Sequence, residues 1–75
     1  MEIKAGKFYV IHNELALDQL PDGKHIGQRG GRTVVEFDDR QTAEKNYEIV
    51  QKHVATALFQ GTTYLKGNML GASDF

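Results

Sequence analysis

The sequence predicts a small α+β domain, in which an antiparallel sheet of three to four strands carries one long amphipathic helix on one face. Three observations indicate this class: a β-rich run at 3–12, a Gly-Gly hairpin signal within 24–37, and apolar residues at helical spacing within 38–60. A chain of 75 residues is too short for two lobes with a cleft between them, so residues 1–75 form one domain.

Residues 3–12 are predicted as the first strand because aromatic and β-branched side chains cluster there. Side chains two apart share a face, so Phe8 points one way and Tyr9 and Ile11 point the other. Both faces are apolar, which indicates either a central strand covered on two sides or a strand covered on one side by a partner chain, and one helix covers only one face. We therefore expect Tyr9 and Ile11, together with Leu65, to form a partner face, and the chain to be a homodimer.

The segment 13–20 fits two structures. Leu15 and Leu17 alternate with polar neighbours, as in a strand, while Asn13 could cap one helical turn; we favour the extended form. Pro21-Asp22-Gly23 then predicts a turn.

Two β-capable runs joined by Gly30-Gly31 predict a β-hairpin, because a primed turn needs positive φ at both central residues. The turn determines the register. The expected opposed pairs are Arg29 with Arg32, Gln28 with Thr33, Ile26 with Val35, and His25 with Glu36.

The interval from Asp38 to Gln60 is predicted as one helix, begun by Asp38 or Asp39 as N-cap and ended by Gly61. One apolar face recurs at helical spacing through Ala43, Tyr47, Val50, Val54 and Leu58.

A short strand at 62–66 follows, and we expect 71–75 to be a flexible tail. The predicted core consists of Phe8, Val10, Val35, Phe37, Tyr47, Val50, Val54 and Leu58.

The hairpin is the first candidate functional feature, because residues 24–32 contain no acid. Arginine forks and turn N–H groups bind carboxylates or phosphates, and a β-ribbon can enter a DNA major groove. The alternative is an exposed hairpin whose charges keep its edge soluble. The candidate contact residues are Lys24, His25, Arg29, Gly30, Gly31 and Arg32.

Segregated charge and scattered histidines are the other two features. Acidic residues dominate between 36 and 48, and surfaces with segregated charge suit docking to a complementary protein. His12, His25 and His53 lie on three different elements and match no metal-ligand spacing, so no metal site is expected. We expect His12 to be partly buried and hydrogen-bonded, and His25 to pair with Glu36 across the hairpin.

Several function classes are disfavoured by the residues present. The chain has no cysteine and no nucleotide-binding motif, and its one serine is Ser73, so we expect no catalytic residue and no cofactor. A net charge of −1 argues against coating nucleic acid by bulk electrostatics. No apolar run suggests a membrane span and the first residues lack a signal-peptide pattern, so we expect no membrane contact and a cytoplasmic protein.

The sequence therefore favours a non-catalytic module that binds another protein, of unknown identity, as a regulator or inhibitor. One alternative is a nucleic-acid-binding module that uses the hairpin 24–32. Another is an anion-binding subunit of an oligomeric enzyme. Salt dependence separates the nucleic-acid alternative, because phosphate contacts make affinity fall steeply with salt.

Overall fold

A computed structural model describes residues 1–13, 20 and 22–68 as a mixed α+β fold, which confirms the predicted class. Residues 14–19 of the segment 13–20, for which an extended form was favoured, and the predicted flexible tail 71–75 lie outside the described residues, and Asn13 is the last residue of β1. The described elements are β1 (Phe8–Asn13), β2 (Lys24–Arg29), β3 (Arg32–Phe37), α1 (Arg40–Val50), β4 (Thr56–Gln60) and β5 (Thr63–Gly67).

The strands form one antiparallel sheet in the order β2-β3-β1-β4-β5. The described sheet therefore has five strands rather than the three to four predicted. The central strand β1 pairs with β3 through Val10 opposite Val35 and with β4 through Val10 opposite Leu58. Because β3 and β4 lie on either side of β1, α1 has to cross over β1 to connect them.

The helix begins as predicted but ends early. Asp39 is its N-cap, and the Asp39 carboxylate accepts the Thr42 amide at 2.9 Å. The helix ends at Val50, whose carbonyl accepts the amides of His53 at 2.9 Å and Val54 at 3.1 Å. The predicted long helix is therefore wrong, since α1 has 11 residues and does not reach Gly61.

The second half of the predicted helix is the strand β4. Val54 and Leu58 do match helical spacing, but Thr56 through Phe59 are four consecutive buried residues. A strand in the interior of a sheet buries consecutive side chains on two faces, which one stripe of a helix does not. Gly61, predicted to stop the helix, has φ +57 in the turn from β4 to β5.

Apolar side chains form one core on each face of the sheet. The helix-side core lies under α1 and consists of Val10, Val35, Phe37, Ala43, Tyr47 and Leu58, with Phe8, Leu20 and Leu65 partly buried against it. The far-side core lies on the opposite face and consists of Tyr9, Ile11, Val34, Ala57 and Phe59, with Ile3, Ile26 and Ala55 partly buried against it.

The predicted core matches the helix-side core. Val50 and Val54 are also buried, so seven of the eight predicted core residues are buried and Phe8 is partly so. The sequence left open whether the first strand is covered on two sides within the chain or on one side by a partner, and the far-side core covers the second face within the chain. Tyr9 is 0% exposed and Ile11 is 5% exposed, so neither is available as a free apolar face.

Candidate functional site

The hairpin of β2 and β3 contains the candidate contact residues, and its turn has the predicted form. Gly30 has φ +58 and Gly31 has φ +80, as a primed turn requires at both central residues. No atom lies within 4 Å of the Cβ position of either glycine, so the turn projects into open space. Arg29 lies opposite Arg32, and Gln28 lies opposite Thr33, as the sequence predicts.

Beyond Gly27 the predicted register is wrong because β2 contains a β-bulge. Ile26 is the extra residue, and Gly27, at φ +148, lies opposite Val34. His25 therefore lies opposite Val35 instead of Glu36. Ile26, which was predicted to face Val35, packs instead against the far-side core.

The bulge changes which side chains share a face of the hairpin. Lys24 lies opposite Glu36, whose carboxylate contacts Tyr9 of the far-side core. Arg32 precedes Val34 of the same core by two residues, so Arg29 and Arg32 point to that face as well. The three lysine and arginine side chains of the hairpin therefore lie on the far side of the sheet.

The hairpin lies at one edge of the described sheet, where β2 is the edge strand. Lys24, His25, Gln28 and Arg29 are exposed, and Arg32 is partly buried. Among the described residues, no ion pair involves Lys24 or His25. The hairpin thus carries the six predicted contact residues, with Lys24, Arg29 and Arg32 on the far side of the sheet and His25, opposite Val35, on the helix side.

The carboxylate of Glu36, the acidic residue on this face, accepts a hydrogen bond from a neighbouring strand of the sheet. The Tyr9 hydroxyl donates to Glu36 Oε2 at 2.9 Å and accepts from the Lys4 amide at 2.7 Å. Burial raises the pKa of the Tyr9 hydroxyl, which therefore stays protonated as the donor. Glu36 is thereby held against Tyr9 beside Lys24.

The other acidic residues between 36 and 48 also have partners within the chain. The carboxylate of Asp38 pairs with Lys7 at 2.6 Å, and this contact raises the pKa of the Lys7 amine. Hydrogen bonds from Thr42 lower the pKa of the N-cap Asp39. The remaining ion pairs are Glu44 with Arg40 at 3.3 Å and Glu48 with Lys66 at 3.2 Å. These carboxylates therefore have partners within the chain, which weakens the prediction of an acidic docking surface.

The predicted partner face is not a surface in this structure. Tyr9 and Ile11 are buried in the far-side core, and Leu65 packs on the other face with the helix-side core. A homodimer was expected because Tyr9 and Ile11 were expected to be exposed, and they are buried. Dimerisation itself stays a prediction, which sedimentation can check.

The histidines do not converge. His12 is 4% exposed and its Nδ1 lies 3.0 Å from the Asn13 carbonyl oxygen, as predicted for a buried, hydrogen-bonded histidine. His25 is exposed on β2 and His53 is exposed after α1. Within the described part of the chain, no three His, Cys, Asp or Glu residues form a group that could hold a metal ion.

A cleft of about 430 Å³ lies between the N-terminal segment and the β4–β5 turn, and the sequence did not predict it. It arises where the N-terminal segment passes the turn, with the Gly61 amide donating to the Lys7 carbonyl at 2.9 Å. The described lining residues carry no titratable side chain: Ile3, Ala5, Gln60, Gly61, Thr62 and Thr63. The lining therefore supplies amide and hydroxyl groups but neither a general acid nor a general base.

No protein-family model, curated protein or solved structure matches this chain. Across the described residues, no helix has both the length and the apolar character needed to cross a membrane. The exposed β2–β3 hairpin is therefore the feature from which a function is proposed.

Proposed function

We propose that this protein is a non-catalytic binding module that docks on an acidic surface of another protein through the β2–β3 hairpin. The observation that carries the proposal is that Lys24, Arg29 and Arg32 lie on one face of an edge hairpin. Positive groups on one surface attract a partner of opposite charge and orient it during encounter.

The contrast between the two charged regions supports the choice of the hairpin. Asp38, Glu44 and Glu48 bind cations of this same chain, and Asp39 caps the helix. The hairpin has one acid on its cationic face, Glu36, and that carboxylate accepts the Tyr9 hydroxyl. With Lys24, Arg29 and Arg32 on the same face, the hairpin face has a net positive charge.

Docking by side chains is favoured over addition of a partner strand to the sheet. Both edge strands of the described sheet contain a one-residue irregularity, which places Ile26 as the extra residue in β2 and Leu65 as the extra residue in β5. Bulges and charged residues on an edge strand oppose pairing with another strand. A partner is therefore expected to contact the face and tip of the hairpin.

The test compares the wild type with the double variant Arg29→Thr/Arg32→Thr. Each protein is immobilised, its partners from the host cells are identified, and the principal partner is purified and titrated. Loss of two charge-assisted contacts should weaken binding by at least about 2 kcal/mol, or roughly thirtyfold in Kd.

The matched control is Lys45→Gln/Lys52→Gln, which removes the same two charges from exposed positions on and just after α1. This control should bind as the wild type does. Unchanged binding by the arginine variant would exclude the hairpin, and equal losses in both variants would show a bulk charge effect. Tighter binding of a short DNA duplex or single strand, with a steep salt slope, would favour the nucleic-acid alternative.

A further inference from the structure

We propose that the β-bulge at Ile26 and Gly27 sets the specificity of the hairpin for an extended acidic segment with two separated negative sites. This inference depends on the proposed docking function and specifies the partner segment. The bulge determines which face of the sheet Lys24 lies on.

The register shows how the bulge acts. In an unbulged hairpin with this turn, His25 would lie opposite Glu36, and Lys24 would lie opposite Phe37 on the helix side. The extra residue Ile26 moves each of these positions by one, so Lys24 lies opposite Glu36 on the far side. The bulge thus places Lys24 on the same face as the arginines of the turn.

Gly27 and Ile26 are suited to maintain this register. Gly27 has φ +148, which residues other than glycine rarely adopt. Ile26 packs its side chain against the far-side core, so slipping back to the unbulged register would move an apolar side chain away from that core.

The resulting charges have a defined spacing. Arg29 and Arg32 are an opposed pair beside the turn, and Lys24 lies at the other end of β2. Lys24 lies opposite Glu36 and Arg29 lies opposite Arg32, so the two charged sites are four residues of β3 apart, which corresponds to about 13 Å along the strand. An extended peptide spans that distance, with both acidic side chains on one face, when its acidic residues are about four positions apart.

The experiment uses two synthetic peptides of identical composition. The spaced peptide has acidic residues at two sites about four positions apart, and the contiguous peptide has the same acidic residues side by side. Affinity is measured for the wild type and for the swap variant Lys24→His/His25→Lys. The swap retains composition and exposed positions, but moves the lysine to the position opposite Val35 on the helix side.

The wild type should bind the spaced peptide about fivefold more tightly than the contiguous one, the equivalent of one exposed ion pair. The swap variant and Lys24→Gln should bind both peptides equally, and Arg29→Thr/Arg32→Thr should lose both. No preference in the wild type, a preference retained by the swap variant, or no binding of either peptide overturns the inference. If the arginine variant nevertheless loses the purified partner protein, docking through the hairpin stands and only the spacing rule fails.

Discussion

Gly23 lies where the chain passes over the helix-side core just before β2, and its replacement by alanine is expected to destabilise the fold. The Gly23 amide donates to the Leu20 carbonyl at 3.1 Å. A Cβ at Gly23 would lie 2.7 Å and 2.9 Å from two ring carbons of Phe37, and closer still to Val35 Cγ1. Val35 and Phe37 are 0% and 1% exposed, so neither side chain has room to move aside.

The expected cost of Gly23→Ala is that of overpacking a core, about 1–3 kcal/mol. In a domain of this size, that corresponds to a fall in Tm of roughly 5–20 °C. Thermal unfolding followed by circular dichroism, with urea unfolding at fixed temperature, measures both quantities.

The matched control is Gly6→Ala, because no atom lies within 4 Å of the Cβ position of Gly6 and its φ is not positive. Alanine at such a position should leave stability unchanged or raise it by up to about 1 kcal/mol. If the Tm of Gly23→Ala equals the Tm of Gly6→Ala, the close approach of the chain to Val35 and Phe37 is refuted.

Three further changes test the core, the tyrosine network and the helix cap. Leu58→Ala removes a fully buried side chain of β4 and should cost about 2–5 kcal/mol in urea unfolding, whereas Ile49→Ala, at a side chain 52% exposed, should cost far less. The raised pKa of Tyr9 means that its stabilising effect is complete below pH 10 and is lost as pH rises through the folded-state pKa, so Tyr9→Phe should show a shallower alkaline loss of stability than the wild type. Asp39→Ala should lower Tm at pH 7 more than Asp39→Asn does, and the difference from the wild type should shrink in acid because the lowered pKa of Asp39 makes its contribution fade as pH falls.

Local rules predicted the elements whose form is determined by neighbouring residues. Gly30-Gly31 requires a primed turn, and Asp39 with the Thr42 amide begins the helix. The two apolar faces of β1 were also evident from Tyr9 beside Val10. These features depend on backbone preferences and on alternation within a few residues.

Tertiary pairing determined what the sequence alone did not show. Leu58 fits a helical stripe, but it becomes part of a strand because β1 pairs with it through Val10, while Phe59 pairs with Tyr9. The bulge did have a local signal, because a glycine such as Gly27 inside a strand pattern indicates a bulge. Its consequence for Lys24 required the register with β3.

The most direct test of the hairpin as the docking surface is a map of backbone amide chemical shifts during titration with the purified partner. The largest shifts are expected within residues 24–32, and the amides of the exposed face of α1 and of the strand β5 are expected to change little. Shifts concentrated on α1 or β5, with residues 24–32 unchanged at saturation, would contradict docking through the hairpin.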